Sequence, residues 1–416
     1  MLPFAIFLKA VTNSNVFGSN SVVLLSLEKL TTLVDPILFY ASTMFIPTFF
    51  LLGILSLGSA LLMYIWAMFT HAVNPNVCVR YSMTPYKRGS KGTWALVTGG
   101  SSGIGLALCR KLARQGINVV VVAIPDTVLE TAMNALQSEF PSVDFLSIGI
   151  RLGDGDYLQV LAKKTEELDI RLVFCNAGYM VTGFFDDSDW SRHEANIACN
   201  STSAIAIAHL FVRRLRTKGV KGAIAFTSSP ASCMPSPFSC LYGATKAMVT
   251  HFATSLAGEI RTDGIDVSVL HPSPVATSFY QGAHAMPTLK FFESTATGPD
   301  DVAEVLMRGL GRSVIIDHGY YSFSMRILQR IVDAAFLAEI ISRVAYTMSD
   351  FNVLKAARKT KITTTTTTTT TSTISTSISS GVVQPILQGE NSNHVSAAEA
   401  VKSPARRRAA SISSRK

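Results

Sequence analysis

Trp94-Ala95-Leu96-Val97-Thr98-Gly99-Gly100-Ser101-Ser102-Gly103-Ile104-Gly105 is the stretch on which the fold turns. The apolar run Trp94–Val97 reads as a buried strand. It enters a glycine-rich turn, and the helical pattern Leu106–Gln115 follows at once. Glycines at 99, 103 and 105 let the chain turn tightly and let backbone N–H groups approach an anion. The helix N-terminus adds unpaired N–H donors and partial positive charge, so a pyrophosphate is the natural guest. No Lys-Ser or Lys-Thr follows the last glycine, which excludes a Walker loop.

Downstream, apolar runs recur at Asn118–Ala123, Phe145–Ile150, Arg171–Phe174, Ala223–Thr227, Asp266–Leu270 and Ser313–Asp317. Helical patterns such as Val128–Glu139 and Glu194–Leu215 lie between them, and Gly116 suits the end of the first helix. Apolar strands alternating with helices predict an α/β fold, a Rossmann-like doubly wound parallel sheet covered on both faces.

Upstream, Pro36 to Val73 holds no Asp, Glu, Lys or Arg. A bilayer-spanning helix needs about 20 such residues, so this stretch predicts an N-terminal transmembrane helix. Residues 1–35 form an apolar segment with a few charges, and a second hydrophobic pass there is left open. Arg80, Lys87, Arg88 and Lys91 follow the span and place the larger domain on the cytosolic side. Residues 319–355 read as an amphipathic helix that packs on the domain or docks on a membrane surface. Residues 356–416, with the threonine run Thr363 to Thr371, read as a disordered tail.

The formal net charge is +9, but the basic residues are spread out and accompany no zinc-finger or RNA-recognition pattern. Nucleic-acid binding is therefore not expected. Six cysteines without a C-x-x-C pair read as free thiols in a reducing compartment, not as a metal site or a disulfide framework.

Tyr242-Gly243-Ala244-Thr245-Lys246 puts a tyrosine and a lysine on one helical face. An ammonium near a phenol favours the phenolate, and a phenol so tuned exchanges protons with a carbonyl or alcohol oxygen. Ser229, just past the strand Ala223–Thr227, sits at a carboxyl end, where open parallel sheets bind ligands. Its hydroxyl can hold a substrate oxygen, with Ser228 as the neighbouring alternative.

This set resembles the short-chain dehydrogenase/reductase family. Thr98-Gly99 through Ser101, Ser102, Gly103, Ile104 and Gly105 is similar to its glycine motif, and Ser229, Tyr242 and Lys246 to its catalytic residues. Cys175-Asn176-Ala177-Gly178 resembles its N-N-A-G element, with Cys175 in place of the first Asn. Asn200 matches the fourth catalytic residue, which holds a water in the proton relay; Asn196 is the competitor. Pro272-Ser273-Pro274-Val275-Ala276-Thr277 resembles the P-G-x-x-x-T segment near the nicotinamide, with Ser273 where glycine is usual. Pro299-Asp300-Asp301 looks like the start of the late helix. The resemblance covers roughly residues 92–318.

The resemblance implies an NAD(P)-dependent oxidoreductase acting on CH-OH/C=O groups. Lys246 would hold the nicotinamide ribose, and Thr98, Asn176, Ala177, Gly178, Pro272, Val275 and Thr277 would line the cofactor with the glycine turn. The second strand ends without an acid at Ile124; Asp126 is displaced and suits a helix cap. Arg151 after the third strand suits a 2′-phosphate, so NADP is preferred over NAD. The segment from Ser278 to Gly298, with Phe279, Tyr280, Met286, Phe291 and Phe292, would form an apolar lid over a hydrophobic substrate.

With its anchor, the chain looks like the lipid and sterol reductases of the endoplasmic reticulum. The glycine turn is similar to that of 3-ketodihydrosphingosine reductases. Gly92-Thr93-Trp94-Ala95 looks like the very-long-chain 3-oxoacyl-CoA reductases and 17-beta-hydroxysteroid dehydrogenases. A steroid- or retinoid-type dehydrogenase and a non-catalytic nucleotide-binding scaffold are the alternatives. The resemblance also implies a homo-oligomer.

Overall fold

The computed structural model describes residues 21–72, 76–85, 92–281 and 283–360. The described residues through Lys359 belong to one unit, Met1–Lys359. Of the expected apolar segment 1–35, residues 1–20 lie outside the described residues, as does the expected tail from 361 onward.

Seven parallel strands form one sheet: β1 (Trp94–Thr98), β2 (Asn118–Ala123), β3 (Phe145–Gly149), β4 (Ile170–Cys175), β5 (Gly222–Thr227), β6 (Ile265–Pro272) and β7 (Ile315–His318). Their order is β3-β2-β1-β4-β5-β6-β7. The chain winds outward in one direction from β1 to β3 and in the other from β4 to β7. The crevice between β1 and β4 is the switch point where such sheets bind ligands. Each observed strand overlaps its expected run, with shifts of a residue or two at the ends.

The central strands are apolar on both faces because helices cover both. Ala95, Val97, Val119 and Val121 face one layer, with Leu108 and Leu112 of α2 (Gly103–Arg114) and Val302 and Leu306 of α9 (Pro299–Gly309). Leu96, Val120 and Val122 face the other, with Phe211 of α6 (Ser203–Lys218) and Val249 and Ala253 of α7 (Cys240–Ile260). Alternate residues pointing to opposite faces is the period of a strand. The remaining domain helices are α3 (Thr127–Glu139), α4 (Tyr157–Lys164), α5 (Trp190–Ile197) and α8 (Pro287–Ser294).

Before the sheet, α1 runs unbroken from Ser21 to Ala72, through Pro36. A turn back within residues 21–34 is therefore absent, and the helix starts earlier than the uncharged stretch from Pro36. Within it, Thr43–Thr70 is long and apolar enough to cross a membrane, and none of its most apolar window is buried. Residues Trp190–Lys218 pass the same length and composition test, but almost half of that window is buried as core.

After β7 the expected single helix divides. Helix α10 (Gly319–Ile331) ends, and the Asp333 carboxylate accepts from Ala335 N and Phe336 N to start α11 (Ala334–Val344). A third helix, α12, spans 349–360, reaching into the expected tail. Leu354 is buried there, and Arg358 pairs with Asp186 and, at 2.8 Å, with Asp187.

A buried polar chain ties α7 to α10. Ser228 Oγ meets Thr250 Oγ1 at 2.7 Å, Thr250 Oγ1 meets His271 Nε2 at 3.0 Å, and His271 Nδ1 meets Asp317 Oδ1 at 3.3 Å. Ser322 Oγ and Arg326 Nη2 donate to the same carboxylate at 2.9 and 2.8 Å. Burial pushes the Asp317 carboxyl up, but the bonds and charge of His271 and Arg326 outweigh it and hold it at about 2. A depressed carboxyl stabilises the fold above its ordinary value and loses that contribution as pH falls through the folded value. Stability should therefore decline between pH 3.8 and about 2. Asp317→Asn should cost roughly 3 kcal/mol at neutral pH, because it leaves Arg326 without its counter-charge. A thermal unfolding midpoint equal to the parent's would refute this.

Candidate active site

The glycine turn after β1 is built as its spacing demands. Gly99 and Gly103 have φ of +64° and +52°, a region that disfavours side chains. A Cβ on Gly105 would lie 2.0 Å from the Gly99 carbonyl oxygen, so only glycine lets α2 begin this close to the turn. Ser102 precedes α2 without a side-chain cap bond, leaving the N–H groups of the first turn to face an anion.

Thr98 and Asn176 join the strand ends beside it. Thr98 Oγ1 accepts from Asn176 N at 2.9 Å and Ala177 N at 3.0 Å. Asn176 donates through Nδ2 to Thr98 O at 3.3 Å and accepts from Thr227 Oγ1 at 3.0 Å. The carboxyl ends of β1, β4 and β5 are thus held at one level.

Tyr242 and Lys246 lie on one face of α7, both buried, with Lys246 Nζ 5.7 Å from the Tyr242 ring centre. The ammonium donates to Thr227 O at 2.8 Å. Burial pushes the Tyr242 phenol well above its ordinary range, and the Ser229 side chain offsets part of that. Burial also lowers Lys246, to about 8. The pairing alone predicts a lowered phenol; desolvation of the whole site prevails instead, because burial disfavours the charged form of both groups.

Ser229 Oγ accepts from Ala231 N at 3.2 Å, while the neighbouring Ser228 hydroxyl is taken by Lys246 O at 2.9 Å and by Thr250. Of the two serines, Ser229 is the one held toward Tyr242.

Asn200 sits in a π-helical turn, Ala198–Thr202, between α5 and α6. Such bulges often mark functional sites. Its Oδ1 accepts from Tyr179 N at 2.9 Å, and its Nδ2 donates to Tyr179 O at 2.9 Å and Thr245 Oγ1 at 3.3 Å. The side chain is a clamp on the backbone after β4, where Gly178 lets Asn200 and Lys246 approach from one side. Asn196 also donates to Tyr179 O, at 2.9 Å.

One cavity of about 480 Å³ runs from the glycine turn past Ser229, Tyr242 and Lys246 to the lid. Of the residues expected around a cofactor, Gly99, Ser102, Gly103 and Ile104 line it, as do Asn176, Ala177 and Gly178, and Pro272, Val275 and Thr277. Thr98, Ser101, Gly105 and Asn200 stand outside its lining. Arg151 also stands outside, on the surface, with Asp154 at 3.4 Å. Asp126 caps α3 through Leu129 N at 3.0 Å, and Ile124 is exposed at the end of β2. Ser273, in place of glycine, accepts from Tyr321 N at 3.0 Å and Ser322 N at 3.2 Å, so it caps α10 from another segment.

In the lid, Phe279, Tyr280, Met286 and Phe292 line the cavity, and the Phe279 ring is 5.7 Å from that of Tyr242. Phe291 points outward. Tyr321, Met348 and Asp350 complete the wall. No local motif marks these three; they arrive by the packing of the C-terminal helices.

Residues 93–287 match the family model for short chain dehydrogenases. This segment is a short-chain dehydrogenase domain. The chain is 28% identical over 197 residues to a very-long-chain 3-oxoacyl-CoA reductase of Podospora anserina, covering 46% of this chain and 57% of that protein. It is 31% identical over 196 residues to a 17-beta-hydroxysteroid dehydrogenase type 3 of Mus musculus, covering 45% and 62%. The match thus spans less than two thirds of either relative. A short-chain dehydrogenase from Sphingobium yanoikuyae, solved in complex with NADPH, superposes with a TM-score of 0.50 at 26% identity, covering 54% of this chain and 87% of that one.

A short-chain dehydrogenase domain takes a nicotinamide adenine dinucleotide, and the site fits one. The open helix N-terminus and the glycines suit the pyrophosphate. The cavity continues from there to Tyr242 and Lys246, the residues that would hold the nicotinamide end.

Proposed function

We propose that the protein is a membrane-anchored reductase that converts a ketone on a hydrophobic lipid, of the 3-oxoacyl or 3-ketosphinganine kind, to the alcohol. The observation carrying this reading is the single cavity that joins the glycine turn, the Ser229–Tyr242–Lys246 group and an aromatic lid. The names of the two curated relatives, a 3-oxoacyl-CoA reductase and a hydroxysteroid dehydrogenase, support a bulky apolar ketone. Helix α1 supports attachment to a membrane, and the basic residues after it support a cytosolic domain at the endoplasmic reticulum. The proposed organisation is an anchor at 36–73, a catalytic domain at 92–318 and C-terminal helices beyond it.

Bound along the glycine turn, the reduced dinucleotide supplies the hydride for the carbonyl carbon. Ser229 and Tyr242 bond the carbonyl oxygen, and Tyr242 gives it the proton. The raised phenol keeps that proton at neutral pH until charge develops on the oxygen. Lys246 steadies the phenolate left behind and holds the ribose, and Asn200 fixes the backbone against which Lys246 lies. NADPH is the proposed cofactor. Asp126 is used as a cap, no acid stands at Ile124, and exposed Arg151 is free to turn from Asp154 to a 2′-phosphate.

The test is turnover by the full chain in detergent. It is offered 3-ketosphinganine, a long-chain 3-oxoacyl-CoA and a 17-ketosteroid, with NADPH and then NADH. The expected result is NADPH oxidation with one of the first two. It should fall as pH rises through about 8, where Lys246 loses its charge. Saturable NADPH binding without turnover of any ketone would favour a scaffold, and a rate unchanged through that pH range would remove Lys246 as the charged partner.

A further inference from the structure

Helices α10 and α11 carry an apolar face that stays largely exposed among the described residues. On α10 it runs through Tyr320, Phe323, Ile327 and Ile331, and on α11 through Phe336 and Ile340. Spacings of three and four residues make each set a stripe along one side of its helix.

The α10 stripe is continuous with α1. The Phe323 ring is 5.8 Å from that of Tyr64, and Arg330 Nη1 donates to Ser56 O at 3.1 Å and Ser59 Oγ at 2.7 Å. Trp66 Nε1 donates to Ser313 Oγ at 2.9 Å. A helix rises 1.5 Å per residue, so these contacts follow α1 for about 15 Å, from Trp66 to Ser56. Over the same length α1 exposes Leu57, Leu61 and Ile65. An aqueous boundary placed below Ser56 would leave both the α1 residues and the α10–α11 stripes in water.

The charges on these helices are held in pairs or hydrogen bonds, and the exposed pair Glu339 and Arg343 is long enough to reach the headgroup level. Arg326 is paired with Asp317, Glu339 with Arg343 at 2.8 Å, and Arg330 is bound to α1. Asp333 is occupied as the α11 cap.

We propose that α10 and α11 lie in the lipid leaflet beside α1, so that a second, monotopic surface seats the domain on the bilayer. Amphipathic helices of this kind bury their apolar side about 5–10 Å into the leaflet. Tyr321, between Tyr320 and Ser322 on α10, lines the cavity, so one helix separates the substrate space from lipid. The inference rests on the proposed membrane attachment through α1 and is independent of catalysis.

The experiment places single tryptophans in the full chain, reconstituted in phosphatidylcholine vesicles with brominated or plain acyl chains. Ile331→Trp and Phe336→Trp probe the surface, Phe50→Trp the anchor, and Val128→Trp an exposed site on α3. Emission is read against the parent, which holds Trp66, Trp94 and Trp190. The added emission at 331 and 336 should be lost to brominated lipid and shielded from aqueous iodide; that at 128 should behave in the opposite way. Iodide quenching at 331 and 336, with bromine quenching kept at 50, would overturn this inference alone. Shielding from both quenchers would assign the face to a second copy of this chain and overturn it too. Loss of bromine quenching at 50 as well would overturn the anchor with it.

Discussion

Tyr242→Phe should lower ketone reduction by about 100- to 10,000-fold, the usual contribution of a positioned general acid. NADPH binding should stay within a few-fold of the parent's. The phenol is buried on α7, its pKa raised first by burial, with Ser229 offsetting part of the rise. Removing the hydroxyl deletes the proton donor and leaves the packing against Phe279 intact. Single-turnover kinetics separate the two effects, because the loss should fall on the chemical step and not on binding. A variant with parental turnover would refute the assignment of Tyr242 as the acid.

Gly105→Ala should lower NADPH affinity by about 100-fold, equivalent to ~2.7 kcal/mol. A methyl group there would stand 2.0 Å from the Gly99 carbonyl oxygen and 2.8 Å from Asn176 Nδ2. The first contact is with backbone, so the turn or the start of α2 must shift, and both form the proposed pyrophosphate cradle. Overpacking of this kind also costs stability, typically about 1–3 kcal/mol. Gly258→Ala is the control, since nothing lies within 4 Å of its Cβ position. In a helix it should be neutral or stabilising by up to about 1 kcal/mol. Titration by intrinsic fluorescence and thermal unfolding of both variants check this. Equal affinity in the two would show that the turn tolerates a side chain.

The sheet was legible because its signals are local. A parallel strand covered on both faces must be apolar throughout, as Val119–Ala123 is, and a turn approaching an anion must be glycine. The spacing of Tyr242 and Lys246 was legible for the same reason, since helical periodicity alone sets their common face. The sense of the Tyr242 shift was not, because desolvation depends on every element packed over the phenol. The division of α10 from α11 has a local signal, the cap Asp333, hidden within a longer apolar pattern.

Sequence alone therefore determined the α/β architecture, the apolar α1 and the order of the glycine, serine and tyrosine motifs. Each depends on residues within one or two turns of chain. Tertiary structure decided which polar groups meet. It spent Ser228 on Thr250, turned Asn200 onto Tyr179, and set Ser273 as the cap of α10. It also brought Tyr321, Met348 and Asp350 to the cavity wall. The physical reason is distance along the chain: these bonds join residues 21 to 48 positions apart, and only packing of the completed sheet brings them within bonding range.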